Sequence, residues 1–541
     1  MELFTTATLW KNYDRRAQPL DQTVISSEEQ ADRTVEYLYF NGDPCADGCT
    51  RIFSQFYRPK EINGAGVVIM NDVMDVFDPT YVNMLLEAGY CVLAIDYAGK
   101  RRADLYTVYP HSLEEANYFV HPDAGKGLPD NPKQSCWYVW ATLMLRGVTY
   151  LESRPEISGK ISVFGVKTGA FQVWKAAYVE KNLACGIALF NSGYVGESLL
   201  TGTKQMQYNI CIDNAPYAGD ISVPVLAEVA SNARDNSIEY MSDLTNNVRN
   251  NKCFFVIGER RCGLLSDEQM RNIRIFADQC NFASSEQLPR QPEIAARESG
   301  RDLFYDVKTD SSQPITDVKL FVSEGDMPFA YKNWHKYPLS FVQDGSYMAR
   351  INAYAPKEKT CAYVTVTYKN GFSVTSELVQ NIPFLMKVKP ADCAKAHLLY
   401  AVEDGTDDWT VLAGSGEKGS LSPYLETGEY GLKGVTSDFD SLSTFKFGEY
   451  RYRTVGKTYI QVTVYIESEM RMNVTIASKK GDDYLNYTHT SHLRGYKEWI
   501  KVNLRADSFR CGALRLENFD DISCFTIESD GKLLLNSIIL V

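Results

Sequence analysis

Short apolar runs alternate with longer amphipathic stretches through the first half of the chain. Such runs are typical of strands buried on both faces of a sheet. Strands separated by helices favour a parallel, doubly wound sheet. The predicted strands are residues 66–70, 91–96, 160–164, 185–190, 223–227 and 252–257. The predicted helices are residues 80–88, 135–153, 170–180 and a closing helix at 265–280.

The pattern changes to alternation with period two after about residue 300. Residues 317–322 and 362–368 alternate in this way, and Asn370-Gly371 is a strong hairpin signal. An immunoglobulin-like sandwich fits this span. Residues 281–300 are polar and charged, which predicts a partly helical linker.

A second series of strand-like segments begins near residue 390 and shows almost no helical periodicity. These segments are residues 459–466, 471–477, 499–504, 524–527 and 533–541. We expect a jelly-roll sandwich here. The predicted fold class is therefore α/β plus all-β, with an α/β domain at 1–283, an immunoglobulin-like domain at 300–385 and a jelly roll at 390–541.

Composition narrows the range of partners. A net charge of −12 argues against a nucleic-acid binder, which needs basic surface to meet phosphate. No apolar run approaches the roughly 18 residues of a membrane span, and the first residues do not form a secretory signal. We therefore expect a cytoplasmic protein with an unknown small-molecule or protein partner; homo-oligomerisation stays open.

The cysteines also favour a cytoplasmic location. The chain has 13, an odd number, with no C-x-x-C pair and no Cys/His cluster at zinc spacing. Free, mostly buried thiols in a reducing compartment are the simplest interpretation. We expect no metal site and no cofactor.

The most informative motif is the turn Gly165-Val166-Lys167-Thr168-Gly169. It follows a predicted strand and precedes a predicted helix, which is the context of a nucleophile elbow. The two glycines allow the sharp turn, and the central residue is raised at the carboxyl edge of the sheet.

This arrangement resembles the α/β-hydrolase superfamily, in particular its acetyl-xylan-esterase and dienelactone-hydrolase-like branch. The resemblance covers roughly residues 34–280. Besides the elbow, its markers are residues 65–72, 87–97, 150–155 and 223–225. It implies a doubly wound, mostly parallel sheet and carboxylic-ester hydrolysis by a serine, an acid and a histidine that occur in that chain order.

The chain departs from the family at the residues that carry the chemistry. Lys167 stands at the position of the serine, and Asn71-Asp72 stand where the family often has a His-Gly oxyanion motif. Asp235 is the best match to the acid. Arginines and a cysteine, namely Arg260, Arg261 and Cys262, stand where the histidine should be.

A histidine count supports this departure. The six histidines are His111, His121, His335, His397, His489 and His492, and none lies between the elbow and residue 283. Loss of the serine or histidine of such a triad costs about 10⁶ in turnover. The residual rate, roughly 10³–10⁴ over water, is too low for a useful esterase.

Our preferred hypothesis is a catalytically degenerate α/β-hydrolase that serves as a binding or assembly protein. The pocket at the position of the family's active site would then bind a ligand. Its predicted residues are Asn71, Asp72, Thr168, Arg260, Arg261 and Cys262. We expect the Lys167 amine to narrow this pocket and to lie close to a carboxylate such as Asp235. One alternative is a hydrolase of an acylated, carbohydrate-like ester that uses residues other than those of the family, with Lys167 as an amine nucleophile.

The other alternative is a glycan-binding protein. The last domain resembles a carbohydrate-binding-module jelly roll at residues 431–437 and 498–509. Trp409, Tyr484, Tyr487 and Tyr496 could supply the aromatic faces on which glycans stack. The middle domain resembles the immunoglobulin-like module that follows hydrolases of this type, and Trp334 in it is expected to be a packing residue.

Overall fold

The structure is a computed structural model. It describes residues 3–100, 104–190, 200–233, 238–249, 253–258, 265–282, 287–392, 397–412, 422–453, 456–481 and 483–541. Among these residues, no helix is both long enough and apolar enough to cross a membrane. Within the same ranges, no group of three or more His, Cys, Asp or Glu side chains is arranged to hold a metal ion.

A nine-stranded mixed sheet forms the first part of the molecule. Its strands are β1 Thr23–Glu29, β2 Arg33–Cys45, β3 Gly48–Pro59, β4 Gly66–Met70, β5 Cys91–Ile95, β6 Ile161–Val166, β7 Gly186–Leu189, β8 Val225–Ala230 and β9 Cys253–Gly258. They are ordered β1-β2-β3-β5-β4-β6-β7-β8-β9. The first three strands run antiparallel, and β5, β4 and β6 to β9 pair in parallel. This is the α/β-hydrolase topology that the sequence predicts.

Eight α-helices connect or flank these strands within the described residues. They are α1 Thr6–Leu9, α2 Pro79–Glu87, α3 Cys136–Glu152, α4 Ala170–Val179, α5 Gly202–Cys211, α6 Ala215–Ala218, α7 Ile238–Asn246 and α8 Asp267–Phe282. Every residue of β4 to β9 is buried. Both faces of the parallel part are therefore covered, which explains why its strands are continuous apolar runs.

Two antiparallel sheets follow the nine-stranded sheet. Their strands are β10 Glu293–Ser299, β11 Asp302–Lys308, β12 Ile315–Glu324, β13 His335–Tyr337, β14 Ser340–Gln343, β15 Ser346–Ile351, β16 Thr360–Tyr368, β17 Ser373–Thr375 and β18 Val379–Asn381. The orders are β10-β11-β15-β14 and β13-β12-β16-β17, with β18 also paired to β16. The hairpin predicted at Asn370-Gly371 joins β16 to β17. The predicted linker is wrong in part, because β10 lies within it.

Two six-stranded antiparallel sheets complete the described chain. Their strands are β19 Leu398–Ala401, β20 Tyr424–Thr427, β21 Lys433–Thr436, β22 Ser441–Thr444, β23 Tyr459–Ile466, β24 Met470–Lys480, β25 Asp483–Leu493, β26 Glu498–Arg505, β27 Arg510–Cys511, β28 Leu514–Arg515, β29 Ile522–Ser529 and β30 Leu533–Leu540. One sheet is ordered β20-β21-β30-β23-β26 with β19 on β30, and the other β22-β29-β24-β25-β27-β28. The immunoglobulin-like and jelly-roll assignments, and the domain boundaries, stay predictions.

The first and second parts share one apolar core. Buried residues of the five-stranded sheet region, among them Trp334 and Tyr363, belong to the same cluster as the nine-stranded sheet. Trp334 is 1% exposed and packs edge-on against Tyr363, so it is a packing residue as expected. Polar contacts reinforce the junction: Ile257 N donates to Thr375 Oγ1 at 3.1 Å, and Asn232 Nδ2 donates to the Lys332 carbonyl at 2.8 Å.

Candidate functional site

The turn between β6 and α4 has the geometry of a nucleophile elbow. Lys167 has φ 48°, a left-handed conformation that costs most side chains energy. A Cβ atom on Gly169 would lie 1.9 Å from the Met70 carbonyl oxygen, and one on Gly165 would lie 2.5 Å from the Gly169 backbone. Only glycine fits at these two positions, as the G-x-X-x-G motif predicts.

The residue at the centre of this elbow forms an ion pair. Lys167 Nζ lies 3.0 Å from Asp72 Oδ2. The Lys167 side chain is 46% exposed and the Asp72 side chain 22% exposed. The sequence correctly predicts a carboxylate beside this amine, but the partner in the described structure is Asp72, which follows β4.

Buried polar contacts hold the segment that carries Asp72. Asn71 is 1% exposed, and its Nδ2 lies 3.3 Å from the Val76 carbonyl and 3.2 Å from the Asp78 carbonyl. The Tyr97 hydroxyl donates a hydrogen bond to the Asn71 carbonyl at 2.7 Å. Burial raises the pKa of Tyr97 well above its ordinary value, so this hydroxyl stays a donor at physiological pH.

Tyr97 also connects this segment to the elbow. Its hydroxyl also lies beside the side chain of Thr168, the half-buried residue after Lys167. The structure thus brings together four predicted pocket residues, Lys167, Thr168, Asn71 and Asp72. The sequence does not identify Tyr97 as a site residue by its motifs. Its position directly after the apolar run 91–96 is the signal that could have identified it.

The histidines lie in other surroundings. His111 is 91% exposed and pairs with Glu114, and His335 Nε2 lies 2.5 Å from Glu449 Oε1. His121 lines a cavity of about 590 Å³ with Leu200 and Lys204. The remaining three are His397, beside β19, and His489 and His492, on β25. Among the described contacts, none joins a histidine to Lys167.

Four predicted site residues lie outside the described residues: Asp235, Arg260, Arg261 and Cys262. Their assignments stay predictions. Eleven of the thirteen cysteines are described, and all eleven are free thiols. Seven of these are buried: Cys91, Cys136, Cys185, Cys211, Cys253, Cys361 and Cys524.

The chemistry open to this arrangement follows from its charges. An amine becomes a nucleophile when it is desolvated or when a neighbouring cation disfavours its charged form. Lys167 has solvent access and a carboxylate neighbour instead. The pair is therefore suited to electrostatic and hydrogen-bonding contacts rather than to attack on an acyl carbon.

The four aromatic residues predicted to bind a glycan do not share one face. Trp409 is 3% exposed with its ring against Tyr400, and Tyr487 is 4% exposed within the same core. Tyr484 is half-buried and stacks on Tyr331 with 4.7 Å between ring centroids. Tyr496 is 73% exposed. Of these four residues, only Tyr496 is open for stacking; glycan binding stays a prediction.

No protein-family model matches the chain, and no curated protein matches it. The solved structures similar to it include the acetyl xylan esterase from Paenibacillus sp. R4, at 15% identity and a TM-score of 0.38 over 51% of this chain and 96% of that one. Acetyl xylan esterase 1 from Thermoanaerobacterium sp. JW/SL YS485 has 14% identity and a TM-score of 0.35 over 49% and 89%. A cold-adapted esterase from an Arctic intertidal metagenomic library has 11% identity and a TM-score of 0.32 over 47% and 96%.

Proposed function

We propose that this protein is a catalytically degenerate α/β-hydrolase that acts as a binding or assembly protein. The ion pair between Lys167 and Asp72 is the observation that carries the proposal. It occupies the elbow position, where acyl transfer needs an activated hydroxyl or thiol. A lysine amine that is paired and open to water does not supply one.

The intact scaffold around this pair also supports the proposal. Gly165 and Gly169 keep the tight contacts of the elbow, and Tyr97 ties the elbow to the segment after β4. A fold that keeps this geometry while the nucleophile position holds a cation is suited to holding a ligand or a neighbouring chain. The polar surface of the pair would contact an anionic or hydrogen-bonding group.

A fluorophosphonate probe tests the proposal, because it reacts covalently with activated serine nucleophiles. Native protein and heat-denatured protein are treated in parallel and their intact masses compared. We expect the same low labelling in both samples. Stoichiometric labelling of the native sample alone, mapped by peptide mass spectrometry to residues 1–283, would refute the proposal.

The Lys167→Ala variant extends this experiment to amine chemistry. An amine nucleophile would form an acyl adduct with an activated ester, and mass spectrometry would place it on Lys167. Lys60, which is also exposed, provides the matched variant Lys60→Ala. We expect both variants and the wild type to acylate equally slowly; loss of acylation in Lys167→Ala alone would contradict the proposal.

A further inference from the structure

A second cavity, of about 500 Å³, lies beside the antiparallel edge of the nine-stranded sheet. Four stretches of chain line it, within residues 11–17, 43–50, 112–113 and 131–143. The volume is within the range of small-molecule sites. None of the residues assigned to the elbow lines this cavity.

One half-buried carboxylate lies in its wall. Asp43, on β2, is beside the hydroxyl groups of Tyr13 and Thr142. Burial raises the pKa of Asp43 to about 6. The Tyr13 hydroxyl faces Asp43, and burial raises the pKa of Tyr13 well above its ordinary value, so it stays protonated beside the carboxylate.

The guanidinium of Arg146 is near this carboxylate, but Arg146 donates its described hydrogen bonds to backbone carbonyls. The Arg146 guanidinium lowers the pKa of Asp43, although burial has the larger effect. Its described hydrogen bonds all go to backbone carbonyls, those of Asn41 at 2.9 Å, Arg15 at 2.6 Å, Gln18 at 2.9 Å and Pro19 at 3.2 Å. Arg146 therefore anchors the N-terminal segment and leaves the hydrogen-bonding capacity of Asp43 to neutral groups.

Aromatic rings form the walls next to Asp43. Tyr13 and Tyr138 both line the cavity. Trp10 packs edge-on against Tyr13 at 5.1 Å and is tilted against Tyr138 at 4.7 Å between ring centroids, so both rings are fixed. The face of an aromatic ring attracts an organic cation by about 0.5–2 kcal/mol. A carboxylate beside such rings is a recognition element for an ammonium group.

We propose that this cavity binds a small organic ammonium ion, with the ammonium group against Asp43 and the apolar body between Tyr13 and Tyr138. Lys11 and Lys133 line the same cavity and repel additional positive charge. The ligand is therefore a monocation with a compact apolar body rather than a polyamine. This site is independent of the elbow and of the function proposed for it.

Isothermal titration calorimetry with benzylammonium chloride tests the site, with benzyl alcohol as the neutral isostere. We expect benzylammonium to bind with a Kd in the millimolar range or below, and benzyl alcohol to bind at least about tenfold more weakly. Asp43→Asn should lower benzylammonium affinity at least about tenfold. The control is Glu293→Gln, which removes an exposed carboxylate on β10, outside the cavity, and should change affinity less than about threefold.

A pH series provides a second measurement on the wild-type protein, and it is decisive if Asp43→Asn does not fold. The charged groups that face Asp43 are Lys11, Asp14, Arg146 and Lys133, beside the phenols of Tyr13 and Tyr138. Burial raises the pKa of Asp43 to about 6, so benzylammonium affinity should fall as the pH drops through that value. Equal binding of benzyl alcohol, unchanged affinity in Asp43→Asn, a flat pH profile or no binding of benzylammonium would each overturn the proposal.

Discussion

Lys167 Nζ and Asp72 Oδ2 lie 3.0 Å apart and join the end of β6 to the segment that follows β4. These strands are parallel neighbours, so their carboxyl ends meet at one edge of the sheet. That edge is where α/β folds place their ligand sites. The pair thus occupies the position at which a hydrolase of this fold would hold its substrate.

The ion pair should contribute little to stability. Both side chains have access to water, and exposed pairs are worth about 0–1 kcal/mol. A double-mutant cycle with Lys167→Met and Asp72→Asn, followed by urea denaturation, should give a coupling free energy below about 1 kcal/mol. A coupling of about 3 kcal/mol or more would show that the pair is buried in solution.

Substitution of an elbow glycine should reduce the stability of the fold far more than loss of this ion pair. Gly169→Ala places a methyl group against the Met70 carbonyl, so the backbone must move and the free energy of unfolding should fall by about 3 kcal/mol or more. Gly219→Ala is the control: Gly219 has φ −63°, and its nearest neighbour is the flexible Arg249 side chain at 3.6 Å. Equal melting temperatures for the two variants would contradict the elbow geometry.

Glu228 should destabilise the fold at neutral and higher pH. It is fully buried on β8, and burial raises its pKa well above the ordinary value of 4.5. The folded protein therefore keeps a proton that the unfolded chain releases, and the free energy of unfolding falls as pH rises above about 4.5. Glu228→Gln removes this dependence. Urea denaturation should therefore show that the variant gains more free energy of unfolding over the wild type at pH 8 than at pH 5, and the two gains should differ by about 1–3 kcal/mol.

The matched control for that variant is Glu293→Gln, which changes an exposed carboxylate on β10. It should leave the pH dependence of stability unchanged. If Glu228→Gln and Glu293→Gln behaved alike at both pH values, the carboxyl of Glu228 would be solvated in the folded protein.

Lys175 should make the free energy of unfolding depend on pH in the opposite direction. It is fully buried on α4, where Nζ donates to Asn214 Oδ1 at 2.8 Å and lies 3.5 Å from the centre of the Phe171 ring. Burial lowers its pKa well below 10.5, so the unfolded chain binds a proton that the folded protein does not hold. The free energy of unfolding should therefore increase with pH until the pH reaches about 10.5.

Lys175→Met tests this dependence. It keeps most of the side-chain volume and removes the titrating amine, so its gain in stability should be largest at pH 6 and decline toward pH 9. Lys160→Met, at an exposed position before β6, is the control and should show no such trend. A gain that did not change with pH would mean that Lys175 is charged in both states.

Sequence reasoning predicts the strands β4 to β9 well because every residue in them is buried, which leaves continuous apolar runs in the sequence. It misses β1 and β10, which have little buried surface: all seven residues of β1 are exposed, and only Ile294 of β10 is buried. Edge strands of this kind are held by backbone hydrogen bonds, which leave no hydrophobic pattern in the sequence.

The candidate site is predictable only in part. The motif around Lys167 identifies the elbow, since its glycines have a steric role that any sequence with this turn must satisfy. The partner of Lys167 depends on the strand order, which places β4 beside β6 although about 90 residues separate them. The cavity around Asp43 combines four distant stretches of chain, and no local pattern could indicate it.

The hydrolysis of p-nitrophenyl acetate by wild-type protein and by Lys167→Met is the most direct test of the proposal that the elbow is catalytically degenerate. We expect the two proteins to give equal rates, within a few-fold of the rate in buffer, because neither presents an activated nucleophile at residue 167. A wild-type rate more than about 10³-fold above buffer, lost in Lys167→Met, would show that the elbow is catalytic.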